Sequence, residues 1–145
     1  MSDPSTDQRR PTDQSAVADA RARFRAEGPP QLEADDRIRP HLADGEGVVS
    51  MRRGSAVDRR QPPGTPGGGI RGDLYLTSSR IVLIGVSTLA FGLDEIVEAA
   101  ISSDRLILLM SDKSGVWVDV ERPGLFLVEL SAARVALRST RGGGP

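Results

Sequence analysis

Between Val48 and Val120 the chain breaks into seven short extended segments, each bounded by Gly, Asp, Ser or Pro, and one helix-period stretch follows them. Regular spacing of short strands with turn signals between them is the pattern of an antiparallel barrel or sandwich. The first segment starts at Val48, Val49 and Met51 and runs to about Val57, where DRRQPPGTPGGG, too rich in Pro and Gly to continue a ladder, predicts a long loop. Ile70–Thr77 follows, with Leu74 and Leu76 on one face and Tyr75 and Thr77 on the other. Ser78-Ser79 is a tight turn into 80–85, and strands are predicted at 88–91, 96–101, 106–110 and 116–120. In the last, Val116, Val118 and Val120 alternate with Trp117, Asp119 and Glu121, so one face is buried and Trp117 lies on the wet one.

Pro123 suits the first turn of a helix. Beyond it Phe126, Leu130, Ala133 and Leu137 share one face, while Ser131, Arg134 and Arg138 form the other. The front of the chain differs. Residues 1–14 are almost wholly polar and are expected to be disordered. SAVADARARFRAE predicts a helix from Ser15, an N-cap by residue type, to Glu27, stopped by Gly28-Pro29-Pro30, and a second short helical segment is expected around Leu32 to Ile38, limited by Pro40. The expected organisation is a disordered tail (1–14), a partly helical polar extension (15–41), a folded domain (42–138) and a second disordered tail (139–145).

With 145 residues the chain has room for one domain. Its aromatic residues are Trp117, Tyr75 and three phenylalanines, so the core must be built from Val, Leu, Ile and Ala, and stacking platforms for single-stranded nucleic acid are not expected. Nineteen basic against 20 acidic residues give a net charge of -1, the opposite of a nucleic-acid binder's footprint. Cysteine is absent, which excludes disulfides and thiolate metal sites. No stretch approaches the ~20 apolar residues of a membrane span, and the N-terminus lacks a signal-peptide pattern, so the expected location is the cytoplasm. Only Lys113 among the basic residues is lysine, a bias suggesting a high-GC bacterial source.

Leu42-Ala43-Asp44-Gly45-Glu46 before the first strand, followed by Gly72-Asp73-Leu74-Tyr75-Leu76-Thr77-Ser78-Ser79-Arg80-Ile81, resembles the "L-x-x-G-E... G-x-L-Y-L-T-s-x-R-l" pattern of bacterial PH-like and GRAM-like domains. Phe91-Gly92-Leu93-Asp94-Glu95-Ile96 is similar to the next signature of that family. The resemblance covers about residues 42–138. It implies a mainly β fold, a seven-stranded antiparallel PH-like barrel or sandwich capped by a C-terminal helix, here preceded by a disordered or partly helical extension. It also implies a binding module with no catalytic residue.

The sharpest candidate site is basic. Residues 52–80 hold Arg52, Arg53, Arg59, Arg60, Arg71 and Arg80 against Asp58 and Asp73, an excess of +4. By resemblance to phosphoinositide-binding members, Arg52, Arg53, Arg59, Arg60 and Arg71 are the candidate anion or lipid contacts. The closing basic-x-basic pair on the second strand is missing, since Gly72 and Asp73 follow Arg71. A solvated edge whose charges discourage pairing with other chains accounts for the same residues. Trp117 is the candidate partner contact, because a large ring on a wet face needs an explanation.

Lone His41 cannot supply a zinc site. Asp35-Asp36, Asp94-Glu95 and Asp119/Glu121 are carboxylate pairs in principle, better read as solvated turn and strand chemistry, and no Gly-x-Ser-x-Gly elbow exists. The Gly67-Gly68-Gly69 run lacks the Gly-Lys-Ser/Thr of a phosphate loop, and Arg71-Gly72-Asp73 is a coincidental tripeptide. The chain is thus expected to be no enzyme, with neither metal nor cofactor. Its expected role is a non-catalytic module for a protein partner near the inner face of a membrane, the alternative being an anionic-lipid binder.

Overall fold

Val48–Arg60 forms the strand on which the rest is assembled (β1), as seen in a computed structural model that describes residues 13–60 and 69–142. Along one edge β1 pairs antiparallel with β2 (Gly69–Thr77), and the second half of its other edge pairs antiparallel with β7 (Gly115–Asp119). β3 (Arg80–Gly85) and β4 (Thr88–Gly92) continue from β2, while β6 (Arg105–Met110) and β5 (Ile96–Ser102) continue from β7. The order is β4-β3-β2-β1-β7-β6-β5 in one seven-stranded antiparallel sheet, and α2 (Pro123–Gly142) follows it. The fold is mainly β, with a PH-like arrangement.

β1 is longer than its hydropathy suggests. Asp58, Arg59 and Arg60 continue the strand past Val57 because their backbones pair with Trp117, Val116 and Gly115 of β7. The register against β2 shifts between Arg52 and Ser55, where Gly54 takes φ +64, so the strand kinks at the point where it passes from one half of the sheet to the other.

The inner face gathers the aliphatic core expected of an aromatic-poor chain: Val57, Leu74, Leu76, Ile81, Leu83, Leu106, Leu108, Val116 and Val118. Phe126, Leu130 and Ala133 of α2 close it, with Leu137 packed at the margin. α2 runs one turn beyond Arg138, where Thr140 Oγ1 donates to the Ala136 carbonyl (3.0 Å).

Residues 32–42 do not form the expected helix. Leu32 pairs with Val48 as an isolated bridge, and Asp35 Oδ1 accepts the Arg37 and Ile38 N–H groups, an Asx-type turn that leads into a 3₁₀ turn at Arg39–His41. The local side-chain acceptor and Pro40 outcompete helix here. This segment covers the outer face of the sheet, where Ile38, Val48, Tyr75, Val82 and Ile84 form a second cluster. The N-terminal helix, α1 (Asp13–Glu27), starts two residues before Ser15. Its thin stripe packs on α2: Ala20 and Phe24 are buried with Val128, alongside Val17, Leu125 and Ala132. Residues 1–12 and 143–145 of the expected tails, and 61–68 of the expected loop, lie outside the described residues. Among the described residues no helix is long and apolar enough to cross a membrane.

Candidate interaction surface

Among the described residues β5 ends the sheet and pairs with β6 alone. Ile96 is its one buried residue; Val97 and Ile101 are 59% and 38% exposed. An edge strand of this kind presents unpaired backbone groups, which proteins usually protect with Lys, Pro or a covering element. β5 has neither residue. Its start is guarded by a register shift between Ile96 and Glu98 and by Arg134, whose guanidinium reaches from α2 to donate to the Ile96 carbonyl (2.8 Å). That places Arg134, assigned by periodicity to the polar face of its helix, partly inside, where burial, with Arg138 nearby, lowers its pKa. Residues 98–102 are left as the open stretch of the edge.

The candidate arginines separate into distinct environments. Arg52 is held inside the fold, donating to Glu129 Oε1 (2.7 Å), to Ser50 Oγ (2.5 Å) and to the Glu121 carbonyl (2.9 Å), with its guanidinium 5.6 Å from the Phe126 ring. Arg80 is bound by Glu46 and also donates to the His41 carbonyl. Two of the six positive charges in the 52–80 region are therefore neutralised internally. Arg53, at the kink, and Arg71, opposite Ala56 on the outer face, are exposed and make no ion pair among the described residues. The backbones of Arg59 and Arg60 lie in β1, and their side chains are outside what is described. Beyond Arg71, at the β3–β4 turn, Val86 is fully exposed.

Trp117 sits on the outer face, half-buried. Its cross-strand partner is Ile107, and the Arg105 guanidinium lies 5.0 Å from its ring. Arg105 is in turn held by both carboxylate oxygens of Asp119 (2.7 and 3.3 Å). The ring is thus part of an ordered cation–π and ion-pair stack.

The other polar clusters act as fasteners. Burial raises the Glu46 carboxyl, but Arg80, the Ala43 N–H, Thr77 and Ser79 donate to it and together hold its pKa down at about 2. Tyr75 donates to Asp35 Oδ2 (2.6 Å); burial first, then that bond and the nearby Asp35 charge, push its phenol up to about 12. Asp35 is correspondingly lowered, chiefly by the Tyr75 bond. Of the other carboxylates singled out, Asp36 pairs with Arg39 (2.6 Å) and Glu95 Oε2 caps the Gly92 N–H (2.7 Å). Among the described residues no group of three or more His, Asp or Glu side chains is placed to hold a metal ion.

Sequence reasoning missed Glu129, Ser50 and Arg134. Arg134 stands on the polar face of its helix by periodicity, and the available signal, a polar residue within an apolar run, is present only for Ser50 and Glu129.

No protein-family model and no curated protein matches the chain. Among solved structures it is similar to the C-terminal domain of an unknown protein from Leishmania infantum, at 13% identity and a TM-score of 0.45, covering 67% of this chain and 92% of that one. It is also similar to the N-terminal PH domain of the human ARAP2 protein, at 15% identity and a TM-score of 0.37, covering 63% of this chain and 84% of that one.

Proposed function

We propose that the chain is a non-catalytic PH-like interaction module that binds a protein partner, near a membrane, by taking an extended segment of that partner onto β5. The observation that carries this reading is the open 98–102 edge, with exposed Val97 just before it and exposed Ile101 within it, and lacking Lys or Pro. Strand addition draws affinity from main-chain hydrogen bonds and specificity from alternate side chains, and this edge offers both.

The test is affinity capture on the full chain, comparing the wild type with Ile101→Lys and Val97→Lys, edge charges that oppose strand pairing. A partner retained by wild type and by Arg53→Glu/Arg71→Glu, but lost with either lysine variant, supports the reading. A partner indifferent to both β5 variants sinks it.

A second reading has its own support. Val86 is a fully exposed apolar residue at a turn, and Arg71, whose backbone packs against Gly85, has no ion-pair partner among the described residues. An apolar tip beside an exposed arginine suits an anionic lipid surface. Vesicles of phosphatidylcholine with phosphatidylserine would then co-sediment the chain at low salt, with binding lost in Arg53→Glu/Arg71→Glu and Val86→Asp. Absence of binding at low salt removes this alternative.

A further inference from the structure

The packing of α1 on α2 leaves a trough that the β5 proposal does not use. Phe24 and Val128 form its floor, Ala132, Val135 and Ala136 line the α2 side, and Gly28-Pro29 turns the chain across its end. Gly28 closes α1, donating to the Phe24 carbonyl (2.7 Å) at φ +81. The trough has a volume of about 470 Å³ and is open to solvent along its length. Val135, 60% exposed, stands on its wall.

The rim is charged with one sign. Arg21 and Arg25 lie one turn apart on α1, both line the trough, and neither makes an ion pair among the described residues. Among the described residues no acidic side chain lines it. Like charges at this spacing repel, so the isolated helix gains nothing from the pair, whereas an acidic ligand would be attracted by both. An enclosed pocket would suit a small apolar molecule, since such sites bury most of their ligand. An open trough with an apolar floor and a basic rim is instead the complement of a helix that has one apolar face and acidic flanks.

We infer that the α1–α2 trough is a second docking site, taking an acidic amphipathic helix of a protein partner, with apolar side chains on Phe24, Val128 and Val135 and carboxylates facing Arg21 and Arg25. This site is independent of β5 and stands or falls separately.

The probe is a displayed library of helical peptides with apolar and charged positions randomised, selected against the full chain and then measured by fluorescence anisotropy. Selected binders should carry apolar residues at i, i+3 or i+4 and i+7 with Asp or Glu beside them. Their affinity should fall roughly tenfold or more with Arg21→Glu/Arg25→Glu and with Val135→Gln, and should weaken with salt. Binding should survive Ile101→Lys, and replacing the peptide's acidic residues by Lys should restore affinity for the Arg21→Glu/Arg25→Glu chain. All substituted positions are exposed, so unchanged melting curves exclude a folding defect. Failure to select any peptide sensitive to Arg21 and Arg25, selection of extended or basic peptides, or a dependence on Arg21 and Arg25 of phosphatidylserine-vesicle binding in place of peptide binding would each overturn the inference.

Discussion

Arg52 on β1 and Glu129 on α2 meet at 2.7 Å, with their side chains only 13% and 11% exposed. Glu129 also accepts the Ser50 hydroxyl at 2.8 Å, so one carboxylate ties the C-terminal helix to two positions on the central strand. Removing one member of such a pair leaves the other's charge buried without compensation, which costs about 3 kcal/mol or more. Glu129→Ala and Arg52→Ala should each lower stability on that scale. The double replacement Arg52→Met/Glu129→Leu should recover most of the loss. Urea unfolding of the three variants checks this, and strictly additive effects would show that the two residues do not act as a pair.

Glu46 makes stability pH-dependent. Its carboxyl ionises at about 2 in the folded chain against an ordinary 4.5, so the native state favours the charged form. The stabilisation is complete above pH 4.5 and is lost as pH falls towards 2. The melting-temperature difference between wild type and Glu46→Gln should therefore be largest near neutral pH and shrink through that window. A difference that stays constant from pH 6 to pH 2 contradicts the role given to Arg80, Thr77 and Ser79.

Tyr75 gives the opposite sign at the other end of the scale. Its folded pKa, raised from 10 to about 12, favours the neutral phenol, so its contribution is complete below pH 10 and is lost as pH rises towards 12. Tyr75 is the sole tyrosine, which makes tyrosinate absorbance after a rapid pH jump a direct readout. The midpoint should lie near 12 in wild type and fall part of the way back towards 10 in Asp35→Ala, since burial still raises it. An unchanged midpoint in the variant would mean that Asp35 does not act on the phenol.

Gly72 and Gly85 face each other across β2 and β3 with no room for a side chain. A Cβ on Gly85 would stand 2.1 Å from the Arg71 carbonyl oxygen, and one on Gly72 would stand 2.4 Å from that of Ile84. Because the obstructing atoms are backbone, Gly85→Ala and Gly72→Ala should each cost about 2 kcal/mol or more. Gly47, with nothing near its Cβ position, should accept alanine within about 0.5 kcal/mol. Denaturant midpoints for the three variants decide the matter, and equal losses would refute the steric account.

The strands and the final helix were legible because their signals are local: alternation at Val116–Val120, the Ser78-Ser79 turn, and the stripe of Phe126, Leu130 and Ala133. What failed depends on partners distant in sequence. Hydropathy ends β1 at Val57, yet β7 pairs with three further residues. The composition of 32–38 suits a helix, yet Asp35 caps its own neighbours and Leu32 bridges to Val48. Arg52 counts as one charge in a basic run until its acid, 77 residues away, is seen beside it. The exposure of β5 was equally hidden, because strand propensity reports pairing but not which strand ends the sheet.

β1 also sets an order of events. It is the first strand made, but its second half finds β7 only when the last strand has been synthesised, and Ser50 and Arg52 find Glu129 later still. During synthesis, β1 to β4 can pair as they emerge, while the far edge of β1 and its buried arginine wait. A nascent chain stalled before residue 115 should therefore hold a half-formed sheet with a sticky margin, and completion of α2 is the step that seals it.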